Sequence, residues 1–138
     1  MKDFLVLLAC LPIAIALTLQ ISLNSVNQHD AVRVSKIVNA YAEEARFNGY
    51  FKDADIDEMK EEIAQALECE ADDVLVSCTE KGDAKYKATT YSNNAKIEYR
   101  VEAPIKTVVA AGSLYGIPDS ENKGKIIKEG YVMSEKLK

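Results

Sequence analysis

"FLVLLACLPIAIALTLQISLNSVNQHDAVRVSKIVNAYAEEARFNG", Phe4 to Gly49, fills a third of a 138-residue chain and decides its fold. Its first twenty residues, Phe4 to Leu23, are apolar apart from Pro12, Thr18, Gln20 and Ser22. A helix of that length rises about 30 Å, the hydrocarbon thickness of a bilayer, so the segment can span a membrane. Beyond Leu23 the stretch contains no proline, and its only glycine is Gly49. Ala31, Val34, Val38, Tyr41 and Ala45 recur at spacings of three and four, which puts them on one stripe of a helix. Glu43, Glu44 and Arg46 fall off that stripe. No stop signal separates the two halves, so one helix is predicted to reach Asn48 and end at Gly49 as its cap. Such a helix is roughly 67 Å long.

Three fates of the apolar run compete. Lipidation at Cys10 would use "LLAC", but only six apolar residues precede that cysteine and the run continues past it. Signal cleavage after Ala14 to Ala16 has small residues at a workable spacing, yet "MKD" is nearly neutral and an apolar tail from Leu17 to Leu23 would remain. The retained anchor conflicts with neither observation and is the preferred reading, with Cys10 a passenger and Pro12 a candidate kink. Orientation is weakly marked: Lys2 precedes the span, and Arg33 and Lys36 follow it. Cys69 and Cys78 are the two cysteines outside the run, and they admit either a disulfide staple or two separate thiols.

The remainder reads as a small α+β domain, residues 50–138, beyond a membrane segment (1–23) and its amphipathic continuation (24–49). "DADIDEMKEEIAQALE" is predicted as a short helix capped by Asp55 with Glu58 three residues on, burying Ile56, Met59, Ile63, Ala66 and Leu67. "VLVSCT" (74–79) reads as a strand. "AKYKATTY" (84–91) and "AKIEYRVEA" (95–103) read as a hairpin around Ser92, Asn93 and Asn94, with Ile97, Tyr99 and Val101 on the buried face. "IKTVVAAGSLYG" fits a continued strand or a short apolar helix ending near Gly112, "GIPDSENKGK" a turn-rich loop, and "KIIKEGYVMSEKL" a final strand around Gly130. The expected architecture is a long N-terminal helix, a short second helix and an antiparallel sheet of three to four strands.

Charge and motifs exclude more than they assign. Residues 43–73 carry twelve acidic and three basic side chains, whereas residues 81–138 carry seven acidic and eleven basic ones. Nothing here makes a strong nucleic-acid footprint, and a net charge of −5 argues against one. Asp53, Asp55 and Asp57 have the opening spacing of a calcium loop, but Glu58 stands where the turn needs glycine and Ala64 where the closing glutamate belongs. His29 is the sole histidine, and His29, Cys69 and Cys78 lack the spacing of a zinc site. The lysine after Gly124 is not followed by serine or threonine, so no phosphate loop is present. No catalytic residue, cofactor site or metal site is expected.

The order of parts resembles a pilin or pseudopilin of the type IV filament superfamily, most of all the small TadE-like minor pseudopilins of tight-adherence systems. An apolar N-terminal segment running into an amphipathic helix with "AYAEEAR", then a small α+β domain, carries the resemblance. It implies a non-enzymatic, single-pass subunit of a type IV pilus, Tad or type II secretion-like assembly, with membrane lipid and other pilin-like subunits or secretion-machinery proteins as partners. The head would be extracytoplasmic, and possible fates include a cell-surface filament. Phe4, Leu8, Pro12, Ile15 and Leu19 would mark the membrane and assembly helix, and the Ala31 to Ala45 stripe would pack on the domain's own sheet or on neighbouring helices. Two features depart from that family's pattern: "MKD" is not a basic leader ending in glycine, and Gln20 rather than an acidic residue is the most polar group in the span. The alternative is a single-pass, membrane-tethered extracytoplasmic binding or sensor domain.

Overall fold

A computed structural model describes residues 2–88 and 93–138. The fold is α+β. Helix α1 runs unbroken from Lys2 to Asn48, through Pro12, and α2 covers Asp53–Leu67. Three strands follow, β1 (Leu75–Cys78), β2 (Lys96–Ile105) and β3 (Gly124–Met133), in the antiparallel order β1-β2-β3. In the β1–β2 ladder Leu75 pairs with Glu102 and Cys78 with Tyr99, so Pro104, which cannot donate to a ladder, lies past its last pair.

The chain divides into two compact units: residues 2–29 with 105–124, and residues 30–104 with 125–138. The second holds the hydrophobic core. Val34, Val38, Ala42 and Ala45 from α1, Met59, Ile63 and Ala64 from α2, and Ile97, Tyr99, Val101, Ala103 and Ile126 from the sheet are buried. β2 obeys strand alternation, with Glu98 and Arg100 turned to solvent between Ile97, Tyr99 and Val101. Phe51, buried between the two helices in sequence, meets Tyr99 edge to face with ring centroids 6.0 Å apart.

Helix α1 ends as the sequence predicts. Gly49 adopts φ 81° and donates its N–H to Ala45 O at 2.7 Å. A Cβ there would sit 2.2 Å from the carbonyl oxygen of Lys85, so only glycine fits.

The structure corrects three sequence expectations. Lys52, not Asp55, occupies the N-cap of α2, without a side-chain hydrogen bond; Asp55 sits inside the first turn, 3.9 Å from the Lys52 ammonium. Its carboxylate still favours the positive helix end. Residues 84–88 form no strand, and Thr89–Ser92, the rest of that expected hairpin, lie outside the described residues. The reason is in the backbone bonding: Lys85 N–H goes to Gly49 O and Lys87 N–H to Lys136 O, while β2 is flanked by β1 and β3. Finally, "IKTVVAAGSLYG" gives neither a long strand nor an α-helix: β2 stops at Ile105, and a single 3₁₀ turn covers Gly112–Tyr115.

Candidate functional site

The apolar half of α1 is the most conspicuous surface of the molecule. Phe4, Leu8, Pro12, Ile15 and Leu19 are all exposed, Phe4 to 66%. None of the most apolar eighteen-residue window is buried. By length and composition this helix can cross a membrane.

At the end of that run, α1 holds the 105–124 segment through amide side chains. Gln20 Oε1 accepts from Ala110 N–H at 2.8 Å, while its Nε2 donates to Val108 O and to Asn24 Oδ1, both at 3.0 Å. Two turns further on, Asn27 Nδ2 donates to Thr107 O at 3.0 Å. Asn122, buried, clamps the segment from within: its Oδ1 accepts from Val108 and Val109 N–H at 3.1 and 2.7 Å, and its Nδ2 donates to Val109 O at 2.8 Å. The irregular leg from Thr107 to Ala110 thus has backbone groups satisfied by three side-chain amides.

In the second unit the predicted stripe divides. Val34, Val38 and Ala45 are buried and Ala31 and Tyr41 are half-buried, while Ala42, absent from the predicted stripe, is buried as well. Positions 41 and 42 both continue a stripe from Val38, by steps of three and four, and periodicity cannot choose between them. Alanine permits close approach, whereas the Tyr41 hydroxyl reaches Glu62. Burial, followed by the charges of Glu62 and Glu58, pushes the Tyr41 phenol up to about 12.

An open groove of about 780 Å³ lies along one end of the sheet, lined by Cys78, Thr79, Glu80, Asp83, Glu98, Tyr99, Arg100, Glu129 and Tyr131 among others. Arg100 is held by two carboxylates, Glu102 and Glu129, each at 3.0 Å. Lys125 also bonds Glu102 at 3.1 Å; the two cations keep that carboxyl below its ordinary range, Lys125 contributing most. Cys78 has its thiol pushed up to about 11, first by burial and then by Glu80 and Asp53 against Lys60, so it is protonated and unreactive near neutrality. Of the two cysteines considered for a staple, Cys69 follows α2 and Cys78 ends β1 opposite Tyr99.

The acidic triplet Asp53, Asp55 and Asp57 lies on α2, where residues two apart point about 200° apart around the axis and cannot converge on one ion. Among the described residues no group of three or more His, Cys, Asp or Glu side chains is placed to hold a metal. Sequence reasoning missed both the amide-held loop and the groove. The only signal for the former was a glutamine inside an apolar run. In comparisons with known proteins, no family model, curated protein or solved structure matches the chain.

Proposed function

We propose that the chain is a non-enzymatic, single-pass membrane subunit of pilin-like or pseudopilin-like type, with an extracytoplasmic head and an apolar helix that packs against its counterparts in an assembly. The observation that carries this reading is the exposure of the Phe4 to Leu23 run, in which only Ala16, Gln20 and Leu23 are half-buried, at the start of an unbroken 47-residue helix. Twelve of those twenty residues are Leu, Ile, Val or Phe. At about 0.3–0.6 kcal/mol each they favour insertion by roughly 4–7 kcal/mol. Water is a poor solvent for such a surface, and lipid or a neighbouring helix a good one.

Cys10 supplies the test, because it lies exposed within the run. In the full chain carrying Cys69→Ser and Cys78→Ser, expressed in membranes, alkaline extraction should leave the protein in the pellet. Oxidation should then join copies through Cys10 or through a single cysteine moved along residues 6–13. Release by alkali refutes the span. A retained protein that never cross-links and runs as a monomer in detergent refutes the assembly.

That second outcome favours a membrane-tethered binding domain, which the acidic, tyrosine-walled groove supports. The groove's four carboxylates, of which Glu129 already pairs with Arg100 and Asp83 with Lys85, outnumber the one arginine of the lining and suit a cationic ligand. Head stabilisation by such a ligand would be its signature.

A further inference from the structure

The segment that Gln20 holds carries an apolar surface of its own. Twelve consecutive residues, Thr107 to Pro118, have no charge, whereas Lys106 precedes them and Asp119 follows. Leu114 is 82% exposed, Tyr115 61% and Val108 39%. Leu114 and Tyr115 stand in the 3₁₀ turn at the tip, where Ile117 N–H closes on Gly112 O at 2.9 Å. From Thr107 to Ala110 the ties pass from Asn27 to Gln20, seven residues nearer the N-terminus of α1, and so lead toward the apolar run. Gln20 itself belongs to that run.

From this geometry we infer that the 107–118 loop is a second membrane-seated element, with Leu114 and Tyr115 lying in the lipid interface beside the end of the span. The inference rests on the span reading and deepens it: a loop hydrogen-bonded to a residue of the span lies at the depth of that residue. Non-helical backbone is tolerated near hydrocarbon only where other groups satisfy it, and the amides of Gln20, Asn27 and Asn122 do that for the leg between Thr107 and Ala110. A tyrosine at the headgroup level keeps its ring in apolar surroundings and its hydroxyl wet. The lack of charge across the twelve residues removes the main cost of that position. Lipid is the occupant because the exposed tip is continuous with the apolar run through the Gln20 tie.

The chain has no tryptophan, so Tyr115→Trp and Leu8→Trp each install a sole indole. Each full-length variant is reconstituted in phosphatidylcholine vesicles containing lipids brominated either near the headgroup or deep in the acyl chain, and aqueous iodide is added separately. The inference requires Trp at 115 to lose emission most with the shallow bromines and to resist iodide, and Trp at 8 to lose it with the deep ones. Trp at 115 quenched by iodide and untouched by bromine, with Trp at 8 still quenched by deep bromine, overturns the loop and leaves the span standing. Protection of Trp at 115 from both quenchers means that a second copy covers the tip, which also overturns it. If bromine quenches neither indole, the span reading falls and the loop with it.

Discussion

Among the described residues of the second unit, two adopt the left-handed backbone conformation, and they predict opposite effects. Gly49 has φ 81° and Glu68, capping α2, has φ 54°. For an L-residue that region costs about 1–2 kcal/mol relative to glycine. Gly49→Ala incurs this cost and also drives its Cβ to 2.2 Å from Lys85 O, a backbone atom that cannot swing away. Moving that strand of chain endangers the hydrogen bond from Lys85 N–H to Gly49 O at 2.8 Å, about 1 kcal/mol more. The stiffer unfolded chain returns about 0.4–1 kcal/mol, leaving a net loss of about 2 kcal/mol. Glu68→Gly relieves the same conformational cost and gives up the same unfolded-state advantage, for a net gain of about 0.5 kcal/mol. Urea unfolding of the full chain in detergent micelles, followed by tyrosine fluorescence, measures both, since a shifted midpoint at constant slope reads stability. A Gly49→Ala midpoint equal to wild type, or a Glu68→Gly midpoint clearly lowered, would refute the reasoning.

Val38→Asp places a carboxylate at a fully buried position and should unfold the second unit, at a cost of several kcal/mol, while the apolar half of α1 stays helical; an unchanged urea profile contradicts this. Tyr41 should titrate by ultraviolet absorbance near 12, and Glu62→Gln should lower it in part, the remaining shift being due to burial and to the charges of Glu58 and Glu44. Because its folded value exceeds the unfolded one, its stabilising contribution is complete below about pH 10 and is lost as pH rises toward 12. In a Cys10→Ser, Cys69→Ser chain, alkylation of Cys78 should be slow at neutrality and rise about tenfold per pH unit until near 11. A labelling rate at neutral pH equal to that of a free peptide thiol excludes the buried placement.

Local chemistry made parts of this fold legible. A long apolar run, a three-and-four stripe, a terminal glycine and the alternation of Ile97, Tyr99 and Val101 are properties of one segment each, and all four take the predicted form of helix, stop or strand. What could not be read depends on which distant group completes a hydrogen bond. "AKYKA" is extended enough to resemble a strand, yet Lys85 and Lys87 send their N–H groups to Gly49 and Lys136. The cap of α2 moved three residues upstream because helical backbone begins at Asp53, next to Lys52, whatever the merits of Asp55 as an acceptor. In the candidate site, Gln20 read as an impurity in an apolar run; its partners lie 88 and 90 residues away, beyond any pattern in sequence spacing. The choice of Ala42 over Tyr41 for full burial was likewise one of side-chain size, on which periodicity is silent.

If Phe4 to Leu23 spans the membrane as proposed, the Gln20 tie also sets an order of events in biogenesis. Its amide accepts from Ala110, a residue made ninety positions later. At about 5–20 residues per second, the ribosome takes roughly 5–18 s to deliver that partner. A span committed to the bilayer during this interval carries a Gln20 oxygen whose Ala110 partner has not been synthesised, although Nε2 can already bond Asn24, and water or headgroups at the membrane surface serve that oxygen first. The nascent helix is therefore expected to sit shallower than the finished one, and to settle only when the loop arrives.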